Sequence, residues 1–348
     1  MATRYQLEPL TPHEAARWDE LVAPYENRHM FHRKVWLDYL AASRGVEIRL
    51  WAIRSAGHLI GYFCGGILRK GPFRILGSPL KGWITNDMGP VASGEFDADA
   101  FLEGLEDLAA RERLGVIEIE SPLLPEASLV RLGYEPEAFP TYLVELIPED
   151  PRKMLARFHP KARKAVRLAE QSGLTVEDSE DPAITNEVYD GYAELLARKN
   201  LAPTFERSVP RTLFDYLKPR DMLFALGVRE PGGKIITTGL FPHDEKTLYF
   251  AFTGSRIAWW HLFPNDFLQW KAMEIAAGRG IRLYNMCGYG RFKSKFGGIL
   301  EQRQRWHKCY SRSARWARRG YSLYVQNRLH LQGWWRRTLH DHARPGTE

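Results

Sequence analysis

Hydrophobic positions along the first half of the chain fall into two periods. Residues 46–54 (VEIRLWAIR), 59–68 (LIGYFCGGIL) and 116–121 (VIEIES) are short, apolar-rich runs of strand length. In FDADAFLEGLEDLAARERLG, by contrast, Phe101, Leu105, Leu108 and Ala109 recur at helical spacing, and Gly115 ends the helix. A strand over 5–10 and helices over 12–22 and 35–43 precede these elements. A stretch rich in glycine and proline, 71–94, follows the second of these runs.

The second half repeats this order. It predicts a strand over 143–147, a basic helix over 151–172, a strand over 174–178, and helices over 185–198 and 209–217. MLFALGVRE, KIITTGLF and TLYFAFTG then read as a three-strand meander, with turns at Pro231-Gly232-Gly233 and His243-Asp244. The histidine–aspartate corner is expected to face solvent. A helix over 265–277, capped by Asn265 or Asp266, leads to a strand at IRLYNMC (281–287), and QRWHKCYSR supplies the last strand. The implied class is α/β in the α+β sense, with two mixed, mostly antiparallel sheets flanked by helices. The expected domains are 1–145 and 146–312, followed by a basic aromatic tail, 313–348.

Composition narrows the function classes. With 348 residues, 44% hydrophobic and 12% aromatic, the chain has material for two packed cores rather than a disordered polymer. No run is long and apolar enough for a membrane span, and the N-terminal residues do not read as a secretory signal. Cys64, Cys287 and Cys309 show neither disulfide nor metal-ligand spacing, so no metal site and a reducing cytoplasm are expected. His29 and His32 lie close together without further ligands in sequence, and no GxSxG, Walker loop or HExxH occurs.

The net charge of +7 is concentrated in two segments. Residues 152–170 carry seven Lys or Arg against Glu170 alone, and 313–348 carry seven Arg against Asp341 and Glu348. Lys153, Arg157, Lys161 and Lys164 would form one stripe on an unbroken helix, with Leu155, Phe158, Ala162, Ala165 and Ala169 facing inward. Such a stripe suits a phosphate backbone, or a diphosphate-bearing acceptor. Pro160 lies inside it. The tail interleaves Trp316, Tyr321, Tyr324, Trp334 and Trp335 with arginines, a composition suited to a partly helical segment against the protein body or a membrane surface, with some contribution to anion binding.

The most specific stretch is YNMCGYGRFKSKFGG (284–298). It resembles the end of the second domain of Fem-type aminoacyltransferases of the GNAT superfamily, where a tyrosine-bearing strand runs through a glycine turn into FK and FG. HLFPNDFLQWKAMEIAAGRGIRLYN and HPKARKAVRLAEQSGLTVE resemble that family's long helix and its basic helix with following strand. The first half is similar in element order and through SPLKGWITNDMGP. The short spacing before FK also resembles the broader acetyltransferase-like branch. The resemblance implies tandem GNAT domains and a functional lysine at Lys293.

Acyl transfer to an amine needs a neutral nucleophile, close approach and a stabilised oxyanion. Lys293, placed after a strand and a glycine turn with the backbone amides of 288–293, suits the last role, with Phe292 beside it. Tyr284, Asn285 and Tyr289 are candidates to orient substrate or relay a proton. Trp260, before the long helix, is a candidate pocket wall. Cys287 has no histidine next to it in sequence, so a structural thiol is expected. The loop GSRIAWWHLFPN has one glycine, which suits a CoA pyrophosphate poorly. Three readings fit: an aminoacyl-tRNA-dependent transferase acting on an amine of a small-molecule, peptide or cell-wall-precursor acceptor; an acyl-CoA-dependent N- or O-acyltransferase; and a non-catalytic binding protein on a GNAT scaffold.

Overall fold

A computed structural model of the chain describes residues 4–94 and 96–320. The chain divides into two compact units, one of residues 1–140 with 302–316 and the other built on residues 141–301.

The first unit runs β1 (Gln6–Pro9), α1 (Pro12–Ala16), α2 (Trp18–Val22), α3 (Lys34–Arg44), β2 (Glu47–Ser55), β3 (His58–Lys70), β4 (Phe73–Ser78), β5 (Pro90–Ala92), α4 (Ala98–Arg111), β6 (Val116–Ile119), α5 (Glu126–Arg131) and β7 (Glu135–Ala138). The second contains β8 (Thr141–Glu145), α6 (Pro151–Arg157), α7 (Pro160–Gln171), β9 (Thr175–Asp178), α8 (Ile184–Arg198), α9 (Ser208–Leu217), β10 (Leu223–Arg229), β11 (Ile235–Pro242), β12 (Thr247–Tyr249), β13 (Phe252–Ser255), α10 (Pro264–Gly278), β14 (Leu283–Asn285) and β15 (Ile299–Glu301). A final strand, β16 (Gln304–Cys309), follows.

The first sheet is ordered β1-β2-β3-β4-β6-β16-β7, with β5 paired to β3. The glycine- and proline-rich segment contains β4, which runs parallel to β6 from Ile75↔Val116 to Ser78↔Ile119. One face of this sheet is sealed by the helix side predicted from periodicity, with Phe101, Leu105, Leu108 and Ala109 all buried. The last strand, expected in the second domain, pairs instead with β6 and β7 of the first unit. Correspondingly, β8 lies between β14 and β15 in the second unit. The first unit therefore receives one strand, β16, from beyond its continuous stretch of chain.

The second unit has two four-stranded sheets, β13-β11-β10-β9 and β12-β14-β8-β15. Its core contains Phe158, Ala162, Val166 and Ala169 from the basic segment and Phe267, Leu268, Ala272 and Met273 from α10. The basic segment is two helices rather than one. Phe158 and His159 are extended (ψ 149 and 141), and His159 Nδ1 caps α7 by accepting the Lys161 amide at 3.2 Å. Pro160 explains the break, because proline disfavours helical geometry in the residue before it. Helix α10 starts one residue before the expected 265, after Phe263 in left-handed geometry (φ 56), with no side-chain cap. Asn265, expected as a cap, accepts from Thr237 Oγ1 and donates to Ser255 Oγ. His243 and Asp244 are buried, not solvent-facing, with the imidazole stacked 4.1 Å from the Phe224 ring.

Candidate active site at the parting of two strands

β12 and β14 pair in parallel, Thr247↔Leu283 to Tyr249↔Asn285, and the Phe250 amide extends the pairing to Asn285 O at 3.0 Å. At the next residue the strand changes partner: the Ala251 amide donates to Leu240 O, and β13 continues along β11. The two strands part at Phe250. On the other side, Cys287 turns the chain into left-handed geometry (φ 51).

Lys293 lies at this point. Its Nζ donates to Met286 O at 2.6 Å and Cys287 O at 3.1 Å, and sits 5.4 Å from the centre of the Phe250 ring. Burial lowers its pKa, opposed by the nearby Cys287 thiol. An ammonium has three donors, so two carbonyls leave one N–H uncommitted. Gly288 is required beside it, because its φ of 130° is strained for an L side chain and a Cβ there would lie 3.2 Å from Lys293 Nζ.

The backbone amides expected to face the cleft are partly occupied. Gly288 N–H goes to Thr141 Oγ1 at 2.9 Å and Lys293 N–H to Gly290 O at 3.0 Å. Asn285 Oδ1 accepts from Thr141 Oγ1 and from the Cys287 amide, both at 2.8 Å. Asn285 therefore holds the turn rather than pointing a free amide oxygen at a substrate. Tyr284 is fully buried, and its hydroxyl donates to Gln269 Oε1 at 2.6 Å. That places it in the core, away from any substrate, with its pKa pushed well above the usual tyrosine range by burial. The expected proton relay through Tyr284 is corrected on this geometry. Phe292 packs on Phe296 and under Lys295, whereas Tyr289 is 68% exposed beside the site.

The remaining sequence candidates are spread along the second unit. Lys153, Arg157, Lys161 and Lys164 are all exposed on α6 and α7. Arg157 pairs with Glu145 at 2.6 Å and Lys153 approaches Asp150 at 3.7 Å, leaving Lys161 and Lys164 without ion-pair partners among the described residues. Trp260 gives its indole N–H to Ser255 Oγ at 3.0 Å, under the Arg198 guanidinium. Its neighbour Trp259, not Trp260, lines a cavity of about 640 Å³. Trp316 is 72% exposed on a helical segment. Tyr321, Tyr324, Trp334 and Trp335 lie outside the described residues. Sequence reasoning missed Thr141 and Phe250; neither sits in a motif, and each becomes a site residue only through pairing with a distant strand.

No helix among the described residues is long and apolar enough to cross a membrane. Residues 156–294 match a protein family described as acetyltransferase (GNAT) domain. No curated protein matches the chain in sequence. Among solved structures, FemX superposes with a TM-score of 0.65 at 15% identity, covering 92% of this chain and 99% of its own. The C-terminal domain of a putative lysylphosphatidylglycerol synthetase from Agrobacterium fabrum gives 0.58 at 15% identity, covering 90% and 96%. A tandem GNAT protein from the clavulanic acid biosynthesis pathway gives 0.53 at 13% identity, covering 88% and 99%. At these identities the superpositions establish the fold, and the family match establishes the second unit. Residues 156–294, within the second unit, belong to the acetyltransferase (GNAT) domain family, and the chain as a whole has the fold of tandem GNAT proteins.

Proposed function

We propose that the protein transfers an aminoacyl group from aminoacyl-tRNA to the amine of a small-molecule, peptide or cell-wall-precursor acceptor. The observation that carries this reading is the half-buried Lys293 ammonium, held at the parting of β12–β13 from β14 with one donor uncommitted. A neutral acceptor amine attacks the ester carbonyl, and the negative charge that develops on the carbonyl oxygen is met by the third Lys293 N–H. Collapse breaks the carbon–oxygen bond to the tRNA ribose. The departing oxygen leaves with the proton the amine gives up, and an amide is formed.

The entrance to α10 supports tRNA over CoA. It is built from Ile257–Leu262, left-handed Phe263, Pro264 and the first-turn carboxylate of Asp266, which pairs with Lys295 at 2.7 Å. A buried, ion-paired carboxylate in that turn already uses the favourable end of the helix dipole. Lys161 and Lys164 supply cations for a tRNA backbone, and the fold shared with FemX and lysylphosphatidylglycerol synthetase supports the same donor.

The runner-up, acyl-CoA-dependent transfer, is favoured by the acetyltransferase description of the matched family. Incubating the purified protein with charged tRNA or with acetyl-CoA, each with amine acceptors, separates the two. Amide product from charged tRNA alone is expected; robust acetyl transfer without salt-sensitive tRNA binding would establish the runner-up.

A further inference from the structure

Lys293 opens a single 3-10 turn, Lys293–Phe296, whose far end is fastened to the helices of the second unit. Phe296 is fully buried and edge-on to Phe158 at 5.3 Å, and Lys295 O accepts the His159 amide at 2.9 Å. These contacts tie the turn to the junction of α6 and α7. Its polar tie to α10 is an ion pair. Lys295 Nζ lies 2.7 Å from Oδ1 of Asp266, in the first turn of that helix, and 4.4 Å from the centre of the Phe292 ring.

Stability does not account for this pair. The Asp266 side chain is 9% exposed and that of Lys295 25%. Burial raises the Asp266 pKa, and Lys295, its one ion-pair partner among the described residues, opposes the shift without cancelling it. A buried pair of this kind is often no more stabilising than two apolar side chains of similar volume, whereas removing one partner alone is strongly destabilising. What the pair adds over apolar contact is direction, because it fixes Lys295 against one point of α10.

Lys293 depends on such a fixed base. Its ammonium reaches back to Met286 O and Cys287 O at 2.6 and 3.1 Å. A displacement of the turn by about 1 Å would carry it out of hydrogen-bond reach of both. We propose that Asp266 is a positioning residue: through Lys295 it locks the Lys293 turn onto α10 and so holds the Lys293 ammonium where the two strands part. The value of that position for turnover rests on the reaction proposed above; the lock itself does not.

Hydrogen exchange, read without substrate, tests the lock, and steady-state transfer from charged tRNA tests its use. Lys293 and Ser294 both give their amides to Gly290 O at 3.0 Å, so exchange at these two amides reports whether the turn is closed. In Asp266→Leu combined with Lys295→Met both charges are removed together, and thermal stability should stay close to wild type. The two amides should nevertheless exchange about tenfold faster, and kcat should fall about tenfold or more with KM for charged tRNA unchanged. Asp266→Asn keeps the shape of the side chain and makes the same reading if the double variant does not fold. Wild-type exchange at both amides in the folded variant, or wild-type kcat in the double variant, would overturn the proposal. Absence of transfer by the wild type itself would instead sink the proposed reaction, and the exchange result would still decide the lock.

Discussion

Thr141 Oγ1 donates to Asn285 Oδ1 at 2.8 Å and accepts the Gly288 amide at 2.9 Å, joining residues 144 positions apart. Thr141 is fully buried and Asn285 nearly so. The hydroxyl fixes the first residues of the turn whose carbonyls hold Lys293. Thr141→Val keeps the shape and removes both bonds, leaving the Gly288 amide without its partner. A loss of about 1–3 kcal/mol in unfolding free energy is expected, with reduced turnover. Urea unfolding and a transfer assay on the same preparation measure both; unchanged stability would show that the hydroxyl holds nothing.

Lys293→Met should leave the fold intact and lower turnover on the order of a hundredfold or more, the typical cost of removing one oxyanion donor. The variant's circular dichroism and its single-turnover rate are the paired measurements. Wild-type turnover would remove Lys293 from the chemistry.

The same lysine makes stability depend on pH. Because burial lowers its folded-state pKa below the ordinary lysine value, the unfolded chain binds more protons than the folded one between those two values. Stability attributable to Lys293 therefore rises as pH increases through that window, toward the ordinary value of about 10.4. Thermal melts of wild type and Lys293→Met from neutral to alkaline pH should show the wild type gaining relative to the variant. Parallel curves would mean the ammonium carries no burial penalty.

Gly288→Ala places a methyl group 3.2 Å from Lys293 Nζ at a φ of 130°. Strain of about 1–3 kcal/mol is expected at such a backbone position. Turnover should fall further than stability alone explains, because Lys293 is displaced from its two carbonyls. Comparing kcat at a temperature where the variant is fully folded separates the two effects.

Lys161→Glu combined with Lys164→Glu should weaken tRNA binding and flatten its salt dependence by about two units in the log–log slope. Filter binding across a salt series reads this directly. An unchanged slope would move the tRNA interface elsewhere.

Periodicity alone determined most of the element types, the inward face of α4 and the apolar side of α7, because burying a stripe or an alternating face is a local property of the sequence. Lys293 was legible through the motif around it. Tertiary structure decided which sheet each strand joined. An alternating strand such as 304–309 carries no mark of its partner, so its place beside β6 and β7 depends on long-range backbone pairing. The same reason separates Asn285 from Tyr284: β8 and β12 flank β14, and only that pairing sends Tyr284 to Gln269 in the core and Asn285 to Thr141.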